Sequence, residues 1–168
     1  MNGKEQEKGV SQSLSDAEEL CIQHGVRLTE LRRTILEMLL SASKPVKAYE
    51  LIEKMGERGQ RITPASIYRT LEFLLHYGLI HRINALNAYV PCTGTHTCHA
   101  HNLLMFVCSQ CQAAQEIDDP DLYASIRSKL GSLGICMQDS CIEIQGVCPK
   151  CSSTALHISK CGHHKDGP

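Results

Sequence analysis

The chain has 168 residues and a formal net charge of −1, enough length for one large or two small domains with buried cores. No run of about 18 apolar residues is present and the opening Met1-Asn2-Gly3-Lys4-Glu5 is polar, which excludes a membrane span and a secretory signal and leaves a cytoplasmic protein as the expectation. In that reducing compartment, ten cysteines and nine histidines favour metal ligation over disulfides. The charge is uneven. Residues 21–82 carry ten Lys/Arg against six Asp/Glu, whereas 89–168 carry five against seven, so the N-terminal part is the better surface for a polyanion.

In chain order, residues 1–14 lack periodicity and are expected to form a flexible arm. Ser15-Asp16-Ala17-Glu18 has the form of a capping box that opens a helix through about His24, and Gly25 stops it. Thr29 can cap a second helix whose apolar face is Leu31, Ile35, Met38 and Leu39. A third, over roughly 47–57, buries Leu51, Ile52 and Met55. Thr63-Pro64 is the strongest helix start in the chain, an N-cap followed by proline at the first helical position, and this fourth helix runs to about Tyr77 before Gly78. Leu79–Ile83 and Ala88–Val90 then read as a hairpin. Helices followed by such a hairpin predict a winged helix-turn-helix, with the fourth helix entering a DNA major groove. Near its start Ala65, Ser66, Tyr68 and Arg69 are available, while Ile67, Leu71, Leu74 and Leu75 face the core. Arg69 can pair with a phosphate or a guanine, and Tyr68 with a phosphate or a thymine methyl. Taken alone, an amphipathic helix of this kind is more often plain scaffold.

Beyond the hairpin, Pro91–His101 collects Cys92, His96, Cys98, His99 and His101 in a loop rich in metal ligands. Strand-like Leu103–Val107 and Ala113–Ile117 follow, then a helix from Pro120 to Leu130 capped by Asp118 or Asp119, and an extended stretch over about 135–147. This β-β-α-β order is too small to bury its sheet alone and is expected to pair with a second copy. The two Cys-x-x-Cys motifs, Cys108 with Cys111 and Cys148 with Cys151, bracket the last three of these elements. Two such turns supply four thiolates to one tetrahedral Zn²⁺, a closed and therefore structural site. A pair of disulfides, or a thioredoxin-like redox pair using Cys148 and Cys151 alone, are the competing readings. Cys21, Cys136 and Cys141 read as small apolar residues on a helix and a strand. His157, Cys161, His163 and His164 lie in a polar tail of the kind that binds metal weakly.

Three further motifs, Val26-Arg27-Leu28-Thr29 with Arg32, Ala48-Tyr49-Glu50-Leu51 and Ile67-Tyr68-Arg69-Thr70-Leu71, together with the His-rich loop and both Cys-x-x-Cys pairs, resemble the ferric uptake regulator family in its zinc uptake branch. The resemblance spans nearly all of 15–151. It implies an α+β fold with an N-terminal winged helix-turn-helix domain (15–91), a hinge (92–102), a small C-terminal α/β dimerisation domain with the four-cysteine zinc site (103–155) and a tail (156–168). It implies a zinc-responsive, homodimeric repressor of zinc-uptake genes bound to a pseudo-palindromic double-stranded DNA operator, with two Zn²⁺ per subunit. No enzymatic activity and no small-molecule substrate are expected. The DNA-facing set is Arg27, Tyr49, Ser66, Tyr68 and Arg69.

The resemblance also implies a regulatory zinc site of His81, Cys92, His101 and Glu116, with His96, Cys98 and His99 as alternative ligands. One sulfur, two imidazoles and a carboxylate suit Zn²⁺, whereas iron and manganese sensors offer harder nitrogen and oxygen donors. The third helix departs from some zinc-branch members. Gly56 stands where they carry the Arg of an Asp–Arg pair that couples adjacent dimers on DNA. Another metal or peroxide sensor of the same family remains the nearest alternative. A structural zinc module or a thiol oxidoreductase represents other classes. A zinc deaminase would need His-x-Glu ahead of Pro-Cys-x-x-Cys, and neither occurs.

Overall fold

The computed structural model describes residues 3–60, 62–92, 103–137 and 141–152. Five helices of at least ten residues and five strands follow in the order α1 (Gly3–Gln23), α2 (Glu30–Leu40), α3 (Ala48–Glu57), α4 (Pro64–His76), β1 (Ile80–Ile83), β2 (Ala88–Pro91), β3 (Leu104–Cys108), β4 (Ala114–Ile117), α5 (Pro120–Ser132) and β5 (Ile142–Gly146), with a last short turn α6 (Pro149–Ser152). The fold is α+β.

Helix α1 departs from the sequence reading. The expected flexible arm over 1–14 is helical from Gly3, and the Ser15 box lies inside the helix. The cause is an apolar stripe that begins upstream of the box. Leu14, Ala17, Leu20 and Cys21, at helical spacing, are all buried in the main core, and Val10 packs partly against them. Packing of that face, rather than a cap, sets where the helix starts. The other end is as expected. Gly25 takes φ +67, and the amides of Gly25 and Val26 return to the carbonyls of Ile22 and Cys21, a Schellman stop.

The same core takes Ile35, Leu36, Met38 and Leu39 from α2, Leu51 and Met55 from α3, and Ile67, Leu71 and Leu74 from α4. Leu31, Ile52 and Leu75 are only partly buried. At the start of α3 the Glu50 carboxylate accepts the Lys47 amide at 2.7 Å. At the start of α4 the Thr63 hydroxyl accepts the Ser66 amide at 3.3 Å, with Pro64 in the first turn. Arg32 stacks its guanidinium 3.4 Å from the Phe73 ring centroid and so ties α2 to α4, and Arg33 pairs with Glu18 of α1. Gly78, at φ +65, turns the chain out of α4 into β1. Strands β1 and β2 form an antiparallel wing with His81 opposite Val90, closed by a 3-10 turn over Asn84–Leu86 and left-handed Asn87. A single bridge joins Val46 to Tyr89 of β2.

The second sheet has the order β4-β3-β5, with β3 antiparallel to β4 and parallel to β5. A parallel pair needs a crossover, and α5 lies within it, opened by the Asp119 side chain accepting the Leu122 amide at 2.9 Å. Among the described residues of the stretch expected to be extended over 135–147, the strand covers Ile142–Gly146, and Cys136 is exposed rather than packed on a strand. Gly134, at φ +74, ends the chain's run out of α5, so Ile135 and Cys136 belong to the turn that follows the helix. A second, smaller cluster joins the two sheets. Ile83 of the wing packs on Met105 and Val107 of β3, with Leu86, Val90, Leu103, Ala114 and Cys141 around them.

Leu14 separates a packed α1 from a mobile arm. It is 4% exposed, so Leu14→Ala is expected to cost about 2–5 kcal/mol of unfolding free energy, read as a lower midpoint in urea at unchanged slope. A mobile residue would show no shift.

Candidate metal centres and DNA-facing surface

The parallel pairing of β3 with β5 sets Cys108 opposite Gly146, so both Cys-x-x-Cys turns leave the same end of the sheet. The first turn is closed by the Gln112 amide on the Cys108 carbonyl at 2.9 Å, with Gln112 at φ +59, and by the Cys108 amide on the Ala113 carbonyl at 2.8 Å. The two turns are tied together by the Ser109 amide on the Gly146 carbonyl at 2.8 Å. Gly146 sits close under the Phe106 ring, since a Cβ there would stand 3.1 Å from it and the ring would have to shift slightly.

The four sulfurs of Cys108, Cys111, Cys148 and Cys151 lie within 4.8 Å of one another, and Cys111 and Cys148 are 3.8 Å apart. A Zn–S bond of about 2.3 Å requires a tetrahedral S···S edge of about 3.8 Å, whereas a disulfide requires about 2.05 Å. All four are free thiols, so the donor set fits zinc and not a pair of disulfides. Cys108 and Cys111 also take part, which a redox centre of Cys148 and Cys151 alone would not need. Backbone amides, those of Cys111 first and Cys148 next, lower the Cys108 thiol from 9.0 to about 6. Hydrogen bonds with Cys148 and Cys111, together with burial, raise Cys151 to about 12. Crowding thus makes one sulfur a ready anion and the last a reluctant one, and a dication at their centre removes the conflict.

The second group combines both sheets. His81 projects from β1, Cys92 follows β2 with its amide on the Leu79 carbonyl at 3.1 Å, and Glu116 lies on β4 opposite Met105. Their ligand atoms lie within 4.8 Å of one another. His81 Nε2 is buried with no hydrogen-bond partner among the described residues, and Glu116 Oε1 stands 3.9 Å away, too far to accept a bond. Burial holds the His81 pKa below 6.5 and Glu116 opposes that shift only in part, so the imidazole is neutral at pH 7 with its lone pair available. An orphaned buried nitrogen beside a thiol and a carboxylate fits a metal ion. His101, and the alternatives His96, Cys98 and His99, lie outside the described residues, as do His157, Cys161, His163 and His164 of the tail.

In the helical part, Tyr49 of α3 and Tyr68 of α4 are 54% and 50% exposed. Arg27 and Arg69 are exposed as well. Ser66 is partly occupied by the helix cap, its hydroxyl lying 2.9 Å from that of Thr63. Exposed aromatic side chains and exposed guanidinium groups are the residue types that a phosphate backbone and base edges can use.

One residue separates a metal-tied pair of turns from a merely hydrogen-bonded one. Cys111→Ser is expected to lose the metal of the four-sulfur cluster, seen as one fewer zinc per chain by elemental analysis, and to loosen the β3–β5 end of the sheet in circular dichroism. Full zinc content with an unchanged fold would show that the cluster is not the ligand set.

The profile of the ferric uptake regulator family matches residues 23–145. The zinc uptake regulation protein of Escherichia coli strain K12 is 29% identical over 165 residues, covering 94% of this chain and 93% of that protein. Among solved structures, a zinc uptake regulator complexed with zinc and DNA superposes with a TM-score of 0.76 at 28% identity, over 86% of this chain and 96% of that one. The crystal structure of holo XcZur does so with 0.73 at 32% identity, over 83% and 96%. With 23–145 matched, the chain belongs to the ferric uptake regulator family.

Proposed function

We propose that the protein is a zinc-responsive transcriptional repressor, active as a cytoplasmic homodimer with two Zn²⁺ per subunit and no enzymatic activity. The observation that carries this reading is the composition of the second metal group. Two of its donors belong to the wing and one to the sheet beyond it, so an ion bound there favours one placement of the DNA-binding helices relative to the rest of the chain. His81, Cys92 and Glu116 supply nitrogen, sulfur and oxygen, a set suited to zinc, with His101 or a neighbour on the hinge as the fourth ligand. The similarity to zinc uptake regulators, one of them described with zinc and DNA, supports the same choice.

In this reading Cys108, Cys111, Cys148 and Cys151 hold the structural ion. Arg27, Tyr49, Ser66, Tyr68 and Arg69 meet an operator of zinc-uptake genes. Dimerisation uses the C-terminal part. Strand β5 pairs only with β3 among the described residues, which leaves its outer edge open. Leu133, Ile135, Ile144 and Val147, on and around α5 and β5, are large apolar side chains left exposed. Among the described residues no helix is long and apolar enough to cross a membrane.

Zinc sensing is tested on a duplex recovered by in vitro selection with the zinc-loaded protein, titrated at buffered free Zn²⁺, Fe²⁺ and Mn²⁺. Wild type should bind in a zinc-dependent way. Cys92→Ser should stay a folded dimer with its structural zinc, yet lose the response, since metal no longer favours the docked placement by the roughly 1–3 kcal/mol typical of such coupling. A Cys92→Ser protein that responds like wild type removes Cys92 from the sensor, and failure to select any duplex removes the repressor reading.

DNA contact is tested separately. Arg69→Ala should weaken binding by about 1–3 kcal/mol if the guanidinium reads a base, and less if it touches phosphate only, with both zinc ions retained. Unchanged affinity would mean that another helix enters the groove.

A further inference from the structure

The register of the second sheet puts Glu116, Met105 and Glu143 in one row across β4, β3 and β5. Residues opposite one another share a face of the sheet, and this face meets the wing, where Met105 and Val107 pack on Ile83. The carboxylates at the two ends of the row do different things. Glu116 stands with His81 and Cys92. Glu143 reaches the turn between the wing strands, where Oε1 accepts the Asn84 amide at 2.6 Å and Oε2 accepts the Ala85 amide at 2.9 Å. These are the opening amides of the 3-10 turn, which have no partner within it. A carboxylate that takes one on each oxygen makes two charge-assisted bonds. The tie spans 58 and 59 residues of sequence, so it joins the wing to the far sheet rather than stabilising a local turn.

We propose that Glu143 is a positioning residue of the sensory site: it fastens the wing turn to β5, holds His81 and Cys92 over Glu116 before the metal arrives, and so sets the zinc concentration at which the protein responds. The proposal rests on the reading of His81, Cys92 and Glu116 as the sensor. Glu143 is not one of the converging donors, which are His81, Cys92 and Glu116; its two oxygens accept from the wing backbone instead. Its effect follows from linkage. An ion that binds only the docked form has an apparent affinity reduced by the fraction of molecules that are undocked, so loosening the wing weakens zinc binding without touching a donor atom.

The test uses the full chain with its structural zinc in place. Glu143→Gln preserves size but replaces one accepting oxygen with an NH₂ group that confronts an amide N–H. Three quantities are compared with wild type: hydrogen exchange at the Asn84 and Ala85 amides without added zinc, affinity for the second Zn²⁺ by chelator competition, and structural zinc content with circular dichroism as fold control. Both amides should exchange faster, and the second affinity should fall by about tenfold or more, the scale expected for hydrogen bonds to a charged group. The fold control should not change. If the misplaced amide of Gln disturbs the sheet, Glu143→Ala, which adds no donor, is expected to give the same loss. A variant with intact fold that binds the second zinc like wild type overturns the proposal, as does unchanged exchange at both amides. Absence of a second zinc in wild type fails differently: it removes the sensor reading and the coupling with it, while the exchange rates still report whether Glu143 holds the wing.

Discussion

The pairing on which the rest depends is the parallel contact of β3 with β5. Two strands that run the same way end at the same edge, and here each is followed by a Cys-x-x-Cys turn, so one pairing collects all four sulfurs. The contact is short, five residues on each side, and its return path runs through α5, most of which is exposed. An ion held at the common end would close the loop that so short a ladder holds weakly. The thiols show the same need. With Cys108 lowered to about 6 and Cys151 raised to about 12, the metal-free cluster cannot place charge on every sulfur at neutral pH. A dication can. The same pairing also aligns Glu143 with Met105 and Glu116, so the face that meets the wing is organised by the strand contact that assembles the four-sulfur group.

Much of this was legible in the sequence wherever the signal is local. Thr63-Pro64 fixed the start of α4 because an N-cap and an N1 proline act within four residues. Gly25 and Gly78 fixed turns because each needs a positive φ. The spacing of two Cys-x-x-Cys pairs implied convergence without saying how. What the spacing could not supply is direction: nothing in Ile142–Gly146 distinguishes parallel from antiparallel pairing. The expectation of a flexible arm at 1–14 fails because Val10 and Leu14 continue the stripe of Ala17, Leu20 and Cys21 upstream of the capping box. A stripe that reaches the core outranks a cap, since most helical stability comes from packing.

The second metal group was legible only through resemblance. His81, Cys92 and Glu116 sit on or beside three strands of two sheets, and each alone reads as an ordinary packed or exposed residue. Their meeting needs the wing pairing, the β3–β4 register and the docking of one sheet on the other all at once. Glu143 left no local trace either, because an acid in an alternating strand reads as a solvated face. Its role shows only in the two amides it reaches.

The two metal groups therefore stand at different levels of the structure. All four cysteines belong to the end of one sheet, whereas the His81 group straddles two bodies whose mutual packing is slight. Among the described residues the main core buries eighteen residues and the cluster between wing and sheet only three, Ile83, Met105 and Val107. Burying these three side chains contributes roughly 5–9 kcal/mol, to which the partly buried neighbours add a smaller share, before the entropy of fixing one body on the other is subtracted. In the proposed reading one ion tilts this lightly packed contact, while the helical core that presents α4, with its eighteen buried residues among those described, keeps its packing. On the proposed reading, that separation is what allows a metal to change where α4 is held without changing what the helix is.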